Sequence, residues 1–298
     1  MKHIPSKHIG LLDHIKAFAI SLVLLDHGVF LIGYEGYFQL ADYIGRIAVA
    51  AFFFASGYLI EHTRREPFNA KEFLLNKVFR LYPLYFLSLA ICFFYFPSHI
   101  YGSVWAYVLS IQAFVPHKAD FLWFVSFYMS LMLLYGGMQG GRRASIVALA
   151  ILSSAIVLSE HYFNFVNLSV FLLGVMAKKR QVLDDVGAVA GRGIMAISGS
   201  TYAIYLFHVP LAETILLIVQ NDVVFWISYV VLSLSIGISI NKLQRSITSK
   251  KRRMLPIQRP GHLPVSSEQQ NLFETLSDAH ADHGQADGGP ARGRSGQV

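Results

Sequence analysis

The chain has 298 residues, of which 54% are hydrophobic and 14% are charged, and its mean hydropathy is +0.47. A soluble domain has about 25% charged residues, so this composition excludes a soluble enzyme, a coiled coil and a disordered regulator. The presence of a single cysteine, Cys92, excludes a disulfide-built secreted domain. The net charge of +7 would suit nucleic-acid binding, but the positions of the basic residues favour another explanation.

Eight apolar runs approach or exceed the length of about 20 residues that a membrane-spanning helix needs. They cover residues 12–33, 43–61, 79–97, 121–139, 144–159, 163–177, 194–219 and 222–241, and the fifth and sixth are the shortest. A further apolar stretch, Val104–Pro116, is too short to cross. We therefore predict an all-α, polytopic membrane helix bundle with about eight transmembrane helices.

Lysine and arginine cluster in alternate loops of this arrangement, at residues 2–7, 64–80, 142–143, 178–192 and 242–253. The positive-inside rule places these loops, and with them both termini, in the cytoplasm. A full span at Val104–Pro116 would put the later clusters outside. We therefore predict that this stretch is a re-entrant or interfacial segment, covered by protein. The lysine and arginine clusters are then explained by membrane topology and by binding to anionic lipid headgroups, and no nucleic-acid partner is expected.

The composition changes at about Ser246, where proline, glycine, alanine, aspartate and histidine replace the apolar periodicity. Such a composition cannot bury enough apolar surface to form a core. The predicted domains are an integral membrane domain at 1–245 and a disordered cytoplasmic tail at 246–298.

Ionisable residues inside the apolar runs are candidate functional residues, because a charge in the membrane is costly. Lys16 and His27 are eleven residues apart, so they share a helix face at a separation of about 16 Å. Asp13 lies one turn before Lys16 and can pair with it. Lys16 could also be a residue that snorkels to the inner interface, whereas His27 lies too deep for that. Asp26 points about 100° away from His27 and is not assigned as its orienting partner.

The later runs add further candidates. Ser56 and Gly57 form a pair of small residues, which lets another backbone or a ligand approach closely. Lys77 and Arg80 lie one turn apart at the cytoplasmic start of the third run, where they suit a phosphate or serve as ordinary topology charges. In the seventh run a second deep histidine, His208, is followed by Pro210, whose missing N–H frees a carbonyl nearby.

Five motifs follow one another along residues 11–212. They are Leu12-Asp13-His14-Ile15-Lys16 followed by His27, then Phe52–Ile60, Lys77–Pro83, Leu122–Ser126 and Ser200–Pro210. In this order they resemble the motifs of membrane-bound acyltransferase family 3, the bacterial O-acyltransferases that decorate surface glycans. Among the positions that depart from the family pattern, Lys16 stands where the family has an arginine and Phe121 stands where it has a histidine.

The resemblance implies transfer of an acyl group from cytoplasmic acyl-CoA, most commonly acetyl-CoA, to a hydroxyl of an extracytoplasmic carbohydrate such as exopolysaccharide, capsule or O-antigen. It implies a multi-pass protein of the bacterial inner membrane that uses acyl-CoA as a co-substrate and has no permanently bound cofactor or metal. His27 would be the general base or would carry the acyl group itself, with Lys16 as its catalytic companion.

The remaining candidates are assigned on the same basis. Donor-binding residues would hold the phosphates of coenzyme A or let its arm pass: Lys77, Arg80, Ser56 and Gly57. Supporting residues would shape the site: Asp13, Arg46, Trp123, Ser126, Tyr205 and His208. Two other classes stay open. A small transporter or flippase would show internal pseudo-symmetry and broken helices, and a non-catalytic membrane subunit would explain the departures at Lys16 and Phe121. Consumption of acyl-CoA separates the enzyme from both.

Overall fold

A computed structural model describes residues 9–64, 66–100, 102–115, 121–159, 163–183 and 190–254, and every regular element in these ranges is helical. The α-helices are α1 (Gly10–Ile32), α2 (Phe38–His62), α3 (Ala70–Tyr95), α4 (Val104–Val108), α5 (Trp123–Gln139), α6 (Arg142–Ser159), α7 (Phe163–Lys179), α8 (Arg192–Leu216) and α9 (Asp222–Met254). Short 3-10 turns lie at Glu35–Tyr37, Pro97–His99 and Gln112–Phe114.

The chain divides into two units, Met1–Ile247 and Thr248–Val298. Of the second unit the structure describes Thr248–Met254, the last turns of α9. Most of the predicted tail at 246–298, like the basic segment at 2–7, lies outside the described residues.

Each predicted apolar run overlaps one long helix. Five helices, namely α1, α2, α3, α8 and α9, are long and apolar enough to cross a membrane by length and composition. The other three, α5, α6 and α7, have 17, 18 and 17 residues, which at 1.5 Å per residue gives about 26 Å. A hydrocarbon core is about 30 Å thick. The chain is thus an all-helical, multi-pass membrane protein, and the number of crossings and the side of the termini stay predictions.

Of the stretch predicted to be re-entrant, the structure describes residues 104–115, which form the five-residue helix α4 and a 3-10 turn. A helix of this length extends about 8 Å and cannot span. A buried network attaches the stretch to the bundle: the Tyr85 hydroxyl donates to the carbonyl of Tyr107 at 2.7 Å, and the Gln112 side-chain amide donates to the Tyr85 hydroxyl and the Leu122 carbonyl, both at 3.0 Å. Tyr107 and Gln112 are thus buried against the bundle, whereas Trp105 and Leu109 of the same stretch are exposed.

Helix α1 lies between α2 and α8 and packs against both, while α2 also packs along α7. The contact between α2 and α7 is made by two glycines. A Cβ atom on Gly57 would lie 2.1 Å from the carbonyl oxygen of Phe171, and one on Gly174 would lie 2.2 Å from the carbonyl oxygen of Phe54. The two backbones therefore touch, as small residues allow within membranes.

The end of α1 is determined locally. Gly33 adopts a left-handed conformation with φ of 83°, and its amide donates to carbonyls of the last turn. The next residue, Tyr34, donates its hydroxyl to the carboxylate of Asp222 at 2.5 Å, and this hydrogen bond raises the pKa of Tyr34 above its ordinary value. The end of α1 is thus tied to the start of α9.

Candidate active site

Two histidines that the sequence singled out separately meet in the structure. His27 lies in α1 and His208 in α8, and their ring centroids are 4.7 Å apart in an edge-to-face arrangement with an interplanar angle of 86°. The packing of α1 against α8 brings them together. We call them the histidine pair.

The hydrogen bonds of His27 define its tautomer. Its Nδ1 lies 3.1 Å from the carbonyl oxygen of Val23. A carbonyl only accepts, so Nδ1 carries the proton and Nε2 of the neutral ring offers a lone pair. The carboxylate of Asp26 lies 3.5 Å from Nδ1, farther than a normal hydrogen bond. The backbone of α1, and not Asp26, therefore orients the ring.

His208 has the same tautomer but a different environment. Its Nδ1 donates to the carbonyl of Tyr205, and its buried Nε2 has no hydrogen-bond partner among the described residues. His208 is 0% exposed, whereas the side chain of His27 is 30% exposed. Of the two rings, that of His27 is the more exposed, and that of His208 is enclosed by the bundle.

Pro210 shapes the helix that carries His208. A proline at this position cannot donate to the carbonyl of Leu206, four residues earlier. The hydroxyl of Ser88 in α3 donates to that carbonyl at 2.6 Å. The predicted free carbonyl is thus present, and it attaches α3 to α8 within two residues of His208.

Phe121 and Tyr205 line the same region. The Tyr205 hydroxyl donates to the Phe121 carbonyl, and the Phe121 ring lies 5.7 Å from the His208 ring. Trp123 is half-buried against Phe124 and Phe127. Phe121, at the position where the family usually has histidine, thus packs against the histidine pair.

Ser126 is fully buried, and its hydroxyl accepts from the amide of Ala113 at 3.3 Å. It therefore secures the segment that follows α4 to α5. Of the predicted supporting residues, Tyr205 and His208 contact the site directly, while Ser126 holds a neighbouring segment.

At the opposite end of α1, the Nζ atom of Lys16 lies 3.5 Å from Oδ1 of Asp13, which also accepts from the Ser198 hydroxyl. The pairing of Lys16 with Asp13 is the one that their spacing predicts. Ser198 belongs to α8, so Asp13 links α1 to α8 at this end as His27 and His208 do at the other. Asp13 is buried, and the Lys16 side chain is 20% exposed.

The predicted donor-binding residues are placed in separate environments. Lys77 Nζ lies 5.4 Å from the centroid of the Phe73 ring, and the side chain of Arg80 is exposed. The carbonyl of Arg80 accepts from the Gln244 side chain at 2.6 Å, which fixes this turn of α3 to α9. Lys77 and Arg80 thus lie one turn apart at the start of α3 on a well-anchored backbone.

Gly57 and Arg46 have contacts of their own. The face of Gly57 is filled by the backbone of α7, and Ser56 beside it is half-buried. Arg46 pairs with Asp42 at 2.7 Å and lies over the Phe163 ring at 5.0 Å, at an exposed position. Arg46 therefore belongs to an exposed ion pair. Among the described residues, no hydrogen bond or ion pair joins it to the histidine pair.

The sequence did not point to one further polar pair. His99, in the 3-10 turn after α3, has its Nε2 3.0 Å from Oε1 of Glu213 near the end of α8. The His99 ring lies 6.3 Å from that of Phe121. No spacing rule joins two residues on such distant segments, so no sequence signal could have found this pair.

A family model matches much of the chain. The family model described as an acyltransferase domain, the acyltransferase 3 model, matches residues 9–185, more than half of the chain. No curated protein and no solved structure matches. The matched range contains Lys16 and His27, whereas His208 lies beyond it and joins the site through its contact with His27. The match confirms the resemblance: the chain belongs to the acyltransferase 3 family, and it is a membrane acyltransferase.

Proposed function

We propose that this protein is an integral membrane O-acyltransferase that moves an acyl group, acetyl in the first instance, from cytoplasmic acyl-CoA to a hydroxyl of an extracytoplasmic carbohydrate in the bacterial inner membrane. The observation that carries the proposal is the state of His27. Its Nδ1 is bound to a backbone carbonyl, its Nε2 offers a lone pair, and the ring is more exposed than that of the buried His208.

The chemistry that this geometry supports is general base catalysis. His27 Nε2 removes the proton of the acceptor hydroxyl while the hydroxyl oxygen attacks the thioester carbonyl carbon. The carbon–sulfur bond breaks, and the sulfur of coenzyme A takes the proton back from His27. The products are the ester and the free thiol, so protons balance without any external donor.

The donor end is the end that holds Asp13 and Lys16. We place this end in the cytoplasm, with eight crossings and both termini inside, because lysine and arginine are concentrated in alternate loops. Lys77 and Arg80 then lie at the cytoplasmic mouth, where two cations one turn apart fit the phosphates of coenzyme A. Lys16 lies on α1 at the same end and gives a further cation there.

The direct test uses the purified full-length protein in lipid nanodiscs, with radiolabelled acetyl-CoA and unacylated surface polysaccharide from a strain that lacks the gene. We expect release of the coenzyme A thiol together with alkali-labile label on the polysaccharide. Lys77→Ala and Arg80→Ala should each raise the KM for acetyl-CoA about tenfold, since a hydrogen bond to a charged group contributes about 1.5–3 kcal/mol. Lys71→Ala, which removes an exposed cation from the same helix, is the matched control and should leave this KM unchanged.

A wild-type protein that consumes no acetyl-CoA, or that consumes it without labelling the polysaccharide, contradicts the proposal. The first result is what a transporter or a non-catalytic subunit would give. Equal effects of Lys71→Ala and Lys77→Ala would show that only the overall charge of this end matters.

Lys16 gives a second test at the donor end. Lys16→Arg should keep at least half of the activity because it preserves the cation beside Asp13. Lys16→Ala should lose at least tenfold, because it removes the cation at the donor end and leaves a buried carboxylate uncompensated. Activity should be measured per folded protein, with thermal unfolding of both variants as the reference. Full activity of Lys16→Ala would remove Lys16 from the mechanism.

A further inference from the structure

Three polar contacts follow one another along α8. Ser198 bonds to Asp13 beside Lys16, His208 contacts His27, and Glu213 pairs with His99. At 1.5 Å per residue His208 lies about 15 Å beyond Ser198, and Glu213 lies about 7 Å beyond His208. The pair of His99 and Glu213 is therefore on the far side of the histidine pair from Lys16.

This far pair is close to the reacting centre and partly open. One aromatic ring, that of Phe121, separates it from His208, at centroid distances of 6.3 Å to His99 and 5.7 Å to His208. The side chains of His99 and Glu213 are 18% and 31% exposed. A molecule that approaches His27 from this end passes beside them.

The candidate binding residues at the two ends differ in charge. Lys16, Lys77 and Arg80 at the donor end attract an anionic carrier such as coenzyme A, whereas a carboxylate repels it. A carboxylate is instead a strong acceptor for the hydroxyl groups of a neutral molecule. Because the transfer reaction balances its own protons, the pair is not required as a proton exit either.

We propose that Glu213 and His99 form the acceptor subsite, in which the Glu213 carboxylate accepts a hydrogen bond from a hydroxyl of the carbohydrate next to the one that is acylated. Oε1 of Glu213 already accepts from Nε2 of His99 at 3.0 Å, and the second oxygen of a carboxylate has lone pairs of its own. His99 thus holds the carboxylate in place while the other oxygen binds substrate. The proposal rests on the function proposed above.

Glu213→Gln separates this role from a structural one. The glutamine carbonyl oxygen can still accept from His99, so the link between the turn after α3 and α8 remains. The second oxygen becomes an NH₂ group, which cannot accept from a hydroxyl. We expect the KM for the unacylated polysaccharide to rise at least tenfold, with the KM for acetyl-CoA within twofold of wild type and the Tm nearly unchanged. Glu35→Gln, at an exposed acidic position after α1, is the control and should change neither KM.

An unchanged KM for the polysaccharide in Glu213→Gln overturns the subsite. A parallel rise of both KM values also overturns it, as does a fall in Tm that accounts for the loss of activity. Either result would indicate that the pair of His99 and Glu213 only links two segments of the fold. If Glu213→Gln does not fold, His99→Phe removes the donor that holds the Glu213 carboxylate and should raise only the polysaccharide KM. An unchanged polysaccharide KM, or an equal rise of both KM values, in His99→Phe also overturns the subsite. Failure of the wild type to acylate any polysaccharide defeats the proposed function itself, whereas wild-type transfer with no selective effect defeats only the subsite.

Discussion

His27→Ala is expected to lower kcat for acyl transfer by a factor of about 100 to 10,000, the contribution of a positioned general base, while the protein still inserts and accumulates normally. The lone pair of Nε2 is the group that removes the acceptor proton, and alanine offers no substitute. The ring is partly exposed and bonds to its own helix through Val23, so its removal leaves α1 intact. The measurement is acetyl transfer to polysaccharide by the purified variant, with thermal unfolding in parallel.

His14→Ala is the matched control for this substitution. His14 lies on the same helix and donates its Nδ1 to the carbonyl four residues earlier, that of Gly10, at 2.9 Å. It therefore reproduces the local bonding of His27 at a position thirteen residues, or about 20 Å, away along the helix. We expect near-wild-type activity from His14→Ala. A His27→Ala protein that is well folded and active would end the catalytic assignment.

Gly57→Ala is expected to destabilise the bundle strongly, although it adds a single methyl group. The new Cβ would lie 2.1 Å from the Phe171 carbonyl oxygen, which belongs to the backbone of α7 and cannot rotate away. Overpacking of a tight interior costs about 1–3 kcal/mol and occasionally more. The cost should approach or exceed the upper end here, because α2 and α7 must separate along their whole contact. The result is read as a lower Tm and a lower yield of monodisperse protein.

Gly136→Ala in α5 is the comparison. The nearest atoms to its Cβ, on Ala70 and Leu74, lie 3.9 Å away, an ordinary contact. Alanine also favours a helix over glycine by about 0.5–1 kcal/mol, so Gly136→Ala should be neutral or slightly stabilising. If both substitutions had the same effect, the close approach of α2 and α7 would not be a feature of the folded protein.

The positions of the long helices could be predicted because the length of an apolar run is a local property of the sequence. Their ends could not. Helix α3 begins at Ala70, nine residues before its apolar run, since the Asn69 side chain caps the amide of Glu72. Helix α9 continues past the apolar run to Met254 through residues that are polar but still form helix well. Hydrophobicity therefore predicts which residues lie in the membrane, whereas capping and helix propensity determine where each helix begins and ends.

The candidate site shows the same division. The pair of Lys16 and Asp13 follows from spacing on one helix, so sequence sufficed. His27 and His208 could each be singled out as buried ionisable groups, but their contact depends on how α1 and α8 pack. The two small residues Ser56 and Gly57 allow the close approach of either a helix backbone or a ligand. Nothing in the sequence distinguishes these two possibilities. The link between His99 and Glu213 is purely tertiary and was missed for that reason.

The contact between α1 and α8 also bears on the order in which the protein is made. The ribosome releases His27 early and His208 only after six of the long helices have been synthesised, so most of the chain enters the membrane before the site exists. Until α8 docks, Asp13 lacks the hydroxyl of Ser198 and His27 lacks its neighbour. Nascent chains arrested before Arg192 should therefore be inactive even if they insert correctly, and assembly of the last helices becomes the step at which catalytic competence is gained.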